Sequence, residues 1–338
     1  MTISTNGPLH YSSILIPAGV TVTFTGTAPA IVRCDGDCFV HGVLDAAGAG
    51  STDGPGAVAL GRGQAGAFCM ATCYGFGCGC FGYGFPGLPG THYGTYGSAL
   101  PFALEGGSPG GTTLEYYHSG GGWFGPCCDV QGTNYPGGGG GGTLVVLAEG
   151  RIEVTGVIDV QGGSNFSTGS SGSVLLRGHG GNVVRLGGRF FAGRNTSQGG
   201  FVRMDAWGQR PFLYGISDSP PPTMLELPHL YAPTPPRLGT VWEVAVFAPE
   251  NTLVFLAASL QAGPGTPTPF GRLHLDQATA ATVDTAVVPT GSHDPYATIA
   301  WLIPNRPALL GLQLWLQGFA APTALAPRLT NGLLTAVQ

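Results

Sequence analysis

The sequence predicts an all-β protein: a parallel β-solenoid (β-helix) carrying one long insertion rich in Gly, Cys and aromatic residues, followed by a C-terminal β-sandwich. Three observations predict it. A strand-and-glycine unit recurs along residues 30–207, a run of short alternating strands follows a proline-rich stretch, and helix signals are nearly absent throughout.

The recurring unit is the primary signal. Residues 30–45, AIVRCDGDCFVHGVLD, align without gaps to residues 144–159, LVVLAEGRIEVTGVID. Gly36 falls on Gly150, Gly42 on Gly156, Val43 on Val157, Asp45 on Asp159 and Gly48 on Gly162. A third copy begins at Val174, and Phe201 to Trp207 opens a fourth. Each copy reads as a short strand, a Gly turn, a second strand, a Gly kink and a third short strand. Such units cannot bury an apolar face alone, so coils stack and place like residues in ladders about 4.8 Å apart. The competing reading is an antiparallel β-sandwich, in which the same strand–Gly pattern makes hairpins. The first domain is expected over residues 1–216.

Residues 48–142 are the insertion. They hold 31 of the 60 glycines and six of the eight cysteines, with a single cation, Arg62. Glycine at this density favours disorder because it loses the most backbone entropy on folding. Disordered segments are, however, poor in aromatics and rich in charge, and this one is the reverse. It is therefore expected to be ordered, cross-linked and used for contact. Tyr74, Phe76, Phe81, Tyr83, Phe85, Tyr93, Tyr96, Tyr116, Tyr117, Trp123 and Phe124 suit a protein interface or stacking on sugar rings. Some of them must make a small private core. Gly137 to Gly142, just before a strand, read as a close-packed backbone layer; a phosphate cradle would lead into a helix.

Residues 217–236 read as a proline-rich linker that stays extended and outside any sheet interior. Beyond it, alternating β-prone runs at 241–247, 252–256, 272–276, 297–303, 311–317 and 328–337 predict the sandwich over residues 237–338.

Composition excludes several classes. Charged residues make up 9% of the chain, all 13 cations are arginine, and the net charge is −5. Typical soluble chains are about 25% charged. There is no basic patch for nucleic acid and no apolar run of membrane-spanning length. The low charge and abundant apolar surface favour coverage by neighbouring copies of the chain over a neutral secreted domain kept soluble by Ser, Thr and glycans. Cys34, Cys38, Cys69, Cys73, Cys78, Cys80, Cys127 and Cys128 are even in number and clustered, as in a disulfide framework of an oxidising compartment. Their spacing matches no usual zinc site. Adjacent Cys127 and Cys128 are expected to pair elsewhere rather than with each other. The first residues lack the charged and apolar regions of a signal peptide, so a secreted form would carry its signal outside this numbering. The sequons at Asn165 and Asn195 permit glycosylation.

Two resemblances add to this reading. The opening IPAGVTVTFTG and the turns GVLDAAGAG and GVIDVQGG resemble glycine-rich, right-handed β-helix proteins of bacterial cell surfaces, similar in kind to the pectin-lyase-like superfamily. That likeness covers residues 8–60 and 143–210. The tail, IPNRPALLGLQLWLQGFAAP and RLTNGLLTAV, resembles a C-terminal β-domain carried by many secreted proteins of environmental bacteria. There a Pro–Asn turn precedes a buried strand and a leucine-rich strand closes the chain. The resemblance implies an extracellular or cell-surface location and no activity.

Candidate chemistry is sparse. In β-helix hydrolases and lyases, carboxylates on stacked coils act together on a sugar chain. Asp45 and Asp159 hold equivalent repeat positions and on adjacent coils would lie about 5 Å apart, the separation of a retaining glycosidase. The stronger reading is that each Asp caps its own turn. The acidic cluster and basic helper of a pectin-type enzyme are missing. Asp35 and Asp37, between Cys34 and Cys38, offer oxygens to Ca²⁺, but two carboxylates are few for a dedicated site, and a tight turn closed by a local disulfide explains the same residues. His92, His118 and His179 stand isolated among loop residues, and no nucleophile elbow, zincin helix or phosphate loop occurs. The expectation is a secreted structural protein that polymerises with copies of itself into a fibre or surface layer, without catalytic residues or cofactor. The alternative is a carbohydrate-active enzyme or sugar-binding module with a polysaccharide partner.

Overall fold

The structure is a computed structural model. It describes residues 1–57, 139–163, 171–179, 201–213, 223–291 and 295–338, together with Gly169 and the backbone of short strands within 68–135 and 185–191. The chain is all-β, and no α-helix occurs among the described residues. It divides into two compact units, Met1–Arg177 with Val184–Met204 and Phe212–Met224, and Gly178–Val183 with Asp205–Pro211 and Leu225–Gln338.

The chain opens with β1 (Thr2–Ser4), β2 (Leu9–Tyr11), β3 (Ile14–Ile16), β4 (Thr21–Thr25), β5 (Ala30–Cys34), β6 (Cys38–Val40) and β7 (Val43–Asp45). Next come β8 (Phe68–Tyr74), β9 (Gly77–Tyr83), β10 (Thr113–Glu115) and β11 (Thr133–Tyr135), joined as two antiparallel pairs. Then follow β12 (Thr143–Ala148), β13 (Ile152–Val154), β14 (Val157–Asp159), β15 (Ser173–Gly178), β16 (Arg185–Leu186), β17 (Arg189–Phe191), β18 (Phe201–Trp207), β19 (Phe212–Leu213) and β20 (Thr223–Leu227).

Outside those two antiparallel pairs, the strands from β1 to β20 form three sheets, which the chain visits in rotation from β1 to β19. Their orders are β1-β4-β7-β14-β17, β2-β5-β12-β15-β18-β20 and β19-β16-β13-β6-β3. The described pairings within them are parallel. This overturns hairpin pairing for the repeat region. The register reproduces the sequence repeat residue for residue: Ala30 pairs with Leu144, Cys38 with Ile152, Val43 with Val157 and Asp45 with Asp159.

Ladders of like residues fill the interior. Val22, Leu44 and Ile158 form one, Ile16, Val40 and Val154 another, and Val32 and Val146 a third, all buried in one cluster. Each such side chain contributes roughly 1.5–3 kcal/mol of hydrophobic stabilisation. The strands are short because the corners turn on glycine. A Cβ on Gly156 would overlap the carbonyl oxygen of Gly42, and one on Gly42 would overlap the carbonyl of Val20. Stacked backbones approach closely at these corners, and only glycine fits.

The two ends of the expected insertion belong to this body. Gly48 donates to Gln161 O at 2.8 Å, Gly54 to Gly140 O at 2.8 Å, Gly142 to Ala46 O at 2.9 Å and Gly163 to Gly139 O at 2.7 Å. Residues 46–57, 139–142, 160–163 and 171–172 thus include a layer of backbone bonded to backbone, the role expected of the glycine run, whose described part is Gly139 to Gly142. Asp53 Oδ1 accepts from Gly140 N at 2.7 Å and ties the two ends together.

The remaining strands are β21 (His229–Tyr231), β22 (Val241–Phe247), β23 (Leu253–Ser259), β24 (Ala262–Thr268), β25 (Gly271–Leu275), β26 (Ala281–Val287), β27 (Tyr296–Leu302), β28 (Gln313–Ala321) and β29 (Arg328–Ala336). They form antiparallel sheets of order β21-β22-β27 and β26-β23-β28-β29, plus the pair β24-β25. Alternation explains their burial: Trp242, Val244 and Val246 point inward on β22, Val254 and Leu256 on β23, and Leu314 and Leu316 on β28. The stretch expected as linker, 217–236, holds β20 and β21 within its described part, separated by a cis Leu227–Pro228 bond. Proline is accommodated between these strands rather than inside one.

Candidate functional site

The Asp45–Asp159 pair is the strongest catalytic candidate by position, and the register does bring the two side by side on adjacent strands. Their oxygens are nevertheless occupied. Asp45 Oδ1 accepts the backbone N–H of Ala47 at 3.0 Å, and its Oδ2 accepts the Thr23 hydroxyl at 3.3 Å. Asp159 Oδ1 accepts the N–H of Gln161 at 2.9 Å. In each case the carboxylate caps the turn two residues on, a local bond that Asp makes readily. Asp37 has a similar task between neighbouring repeats: its Oδ1 accepts the Arg151 N–H at 2.7 Å. Among the described residues no cluster of three or more metal-ligating side chains occurs.

Cys34 ends β5 and Cys38 begins β6, on either side of the Asp35-Gly36-Asp37 corner. Both are free thiols buried in the apolar cluster, so the bond expected of each is not made in this structure. Cys34 Sγ lies 3.3 Å from the Asp37 carbonyl oxygen. Burial raises the Cys34 thiol pKa above its ordinary value. The Cys38 thiol is pushed up to about 12, by burial first and by neighbouring Cys34 second. Two neutral thiols in this setting are poor nucleophiles. Of the other cysteines, backbone pairing of β8 with β9 sets Cys73 in register with Cys78 and Cys80 with Ala71.

On the outer face of the β3-β6-β13 sheet the side chains are mixed and accessible. Leu15, Phe39 and Glu153 occupy one row across the three strands. The Arg151 guanidinium carbon sits 4.7 Å from the Phe39 ring centroid, and Phe39 and His41 lie nearly parallel at 6.3 Å. His41 Nδ1 and Thr155 Oγ1 are 2.6 Å apart. Arg151 and Glu153 approach to 4.0 Å. This platform is absent from the sequence reading above. The signal was present: if Cys38 and Val40 point inward, Phe39 and His41 point outward.

In the second unit the outer face of β26-β23-β28 is apolar. Leu253 pairs with Val287 and Phe255 with Phe319, and Phe270 meets Phe319 edge-on at 5.3 Å. Val287 is 57% exposed, Phe270 42%, Leu253 38% and Phe255 37%. The tail motif has a structural task here. Asn331 Oδ1 accepts from Leu230 N at 2.7 Å, and its Nδ2 donates to Leu230 O at 3.1 Å. The side-chain amide thus serves Leu230 as a neighbouring strand would. Buried Gln317 is satisfied in the same manner, accepting from His274 N at 2.8 Å and donating to Arg272 O and Thr330 O at 2.7 and 2.8 Å.

The expected contact aromatics from Tyr74 to Phe124, the side chains of Cys69, Cys73, Cys78 and Cys80, Cys127 and Cys128, and the sequons at Asn165 and Asn195 lie outside the described residues. Among the described residues no helix is long and apolar enough to cross a membrane. Comparison with protein-family models, with curated proteins and with solved structures gave no match.

Proposed function

We propose that this chain is an extracellular structural protein: a three-sided parallel β-solenoid, followed by a β-sandwich, that assembles with copies of itself. The rotation of the chain through three parallel sheets supports the solenoid, and the alternating burial of two antiparallel sheets supports the sandwich. One observation carries the function. The side chains best placed for chemistry, Asp37, Asp45 and Asp159, are used to cap turns and bind backbone, while Leu253, Phe255 and Val287 stand exposed on one sheet face, with Phe270 of the β24–β25 turn against Phe319 beside them. A contiguous apolar patch of this kind marks a contact surface. Sugar binding is the second reading. It draws on the Phe39, His41, Arg151 and Glu153 platform, which offers ring surface and polar groups side by side.

Sedimentation velocity and electron microscopy at low and high salt test the proposal. Ordered polymers that persist at high salt and are lost in Phe255→Asp are the expected result, since apolar contacts are not screened. A wild-type chain that stays monomeric at high concentration in both salts refutes it. Polysaccharide binding lost in Phe39→Ala would then make the second reading the better one.

A further inference from the structure

We propose that Cys34 and Cys38 are a disulfide pair, closing the Asp35-Gly36-Asp37 corner on itself, and that the thiols in this structure are its reduced form. The inference stands on the geometry of the corner and is independent of whether the chain assembles.

Cys34 Sγ is 3.3 Å from the Asp37 carbonyl oxygen, which belongs to the peptide bond leading into Cys38. Standard backbone geometry then puts that sulfur within roughly 6 Å of Cys38 Cα, so closing the bond calls for a side-chain rotation that brings the two sulfurs together. Both side chains point into the same buried cluster, and the Cys38 thiol responds to Cys34 as a near neighbour. Packing alone does not call for cysteine here. The ladder neighbours of Cys34 are Tyr11 and Ala148, and those of Cys38 are Ile14 and Ile152. Plain side chains fill the equivalent places, yet thiols occupy both sides of this one corner.

The corner is also where the chain must return after the long excursion between β7 and β12. Glu149 N donates to Cys34 O at 2.9 Å, Gly150 N to Gly36 O at 3.1 Å, and Cys38 N to Arg151 O at 2.8 Å. Arg151 N donates to the Asp37 carboxylate. A covalent bond across the corner holds this docking plate in shape before the returning strand arrives. The oxidation balances with a small-molecule disulfide as acceptor. Two thiols lose two protons and two electrons and form one S–S bond; glutathione disulfide takes them up and leaves as two glutathione thiols. Because the folded thiols are buried and neutral, the exchange takes place before β12 and β13 cover the corner.

The test refolds the full chain in a glutathione redox buffer, alkylates free thiols and digests with trypsin. Cleavage after Arg33 and Arg62 releases residues 34–62, in which Cys34 and Cys38 are the sole cysteines. The expected peptide is unalkylated and lighter than the dithiol by two hydrogen atoms. A doubly alkylated peptide, or one joined to a peptide of the 63–142 segment, overturns the proposal. A second measurement compares melting with and without reductant in wild type and in Cys34→Ala/Cys38→Val, which copies the apolar character of the neighbouring coil. Reduction should lower the wild-type melting temperature by roughly 4–8 °C more than it lowers that of the variant, from the loop-closure effect of so small a ring. Equal drops overturn the proposal as well.

Discussion

Raising the pH of the reduced protein should destabilise it through Cys38, and the size of the effect follows from where the thiol sits. In the folded chain its pKa is pushed from the ordinary 9.0 to about 12, by burial first and by Cys34 second. The unfolded chain gives up this proton near pH 9, whereas the folded chain keeps it until about pH 12. Stability that is fully present below pH 9 is therefore lost as the pH rises toward 12. Each unit is worth about 1.4 kcal/mol, so at two units above the unfolded value the loss is about 3 kcal/mol and over the whole window about 4 kcal/mol. That is a large part of the total stability of an ordinary domain. The assay is urea unfolding under reductant, followed by circular dichroism, at about pH 8 and about pH 11. Tyrosines also titrate there, so the quantity to read is the difference between wild type and Cys38→Val, which removes the thiol and keeps an apolar side chain. Wild type should lose about 3 kcal/mol more than the variant between the two pH values. Equal losses would refute the reasoning, because they would mean that Cys38 ionises as readily in the folded corner as in the unfolded chain.

Two further substitutions probe the two units. Gly156→Ala places a methyl against the Gly42 carbonyl and should cost about 3 kcal/mol or more, whereas Gly50→Ala, with φ +57° and open space around it, should cost only about 1 kcal/mol; thermal melts compare them. Asn331→Ala leaves both polar groups of Leu230 without their side-chain partner and should cost about 2 kcal/mol, read as a lower urea midpoint at unchanged slope.

Much of the first unit was legible because stacked parallel strands impose one register on their sequences. The gapless match of residues 30–45 to 144–159 is that register, seen before the strands were. The same logic found the glycine corners, since a Cβ at Gly42 or Gly156 would collide with the backbone of the neighbouring repeat. Other elements left weaker traces. Strand β24, AGPGTPT, carries residues that strands usually avoid, and only pairing with β25 holds it extended. Strands β20 and β21 lie in what reads as linker because Pro228 and its neighbours dominate the local composition, although β21 pairs with the next strand, β22. At the candidate sites, the turn-capping role of Asp45 and Asp159 followed from their place before small residues. The tight turn bounded by Cys34 and Cys38 was likewise legible in their spacing, whereas the row of Leu15, Phe39 and Glu153 was not, because it depends on which strands lie side by side.

The low charge of this chain acquires a physical meaning once the bonds are assigned. Carboxylates that other proteins spend on surface ion pairs here accept backbone N–H groups: Asp37 from Arg151, Asp45 from Ala47, Asp53 from Gly140 and Asp159 from Gln161. The Arg151–Glu153 pair, at 4.0 Å and partly exposed, adds little by comparison. Charged groups used this way resist screening, because each hydrogen bond is short and partly buried, and the apolar ladders beside them do not depend on ionic strength. A scaffold built so should keep its fold across wide changes of salt, which melts at low and high salt would check. It also leaves few like charges on its surface to repel a neighbouring copy, and this is the property that a subunit of an extracellular polymer needs.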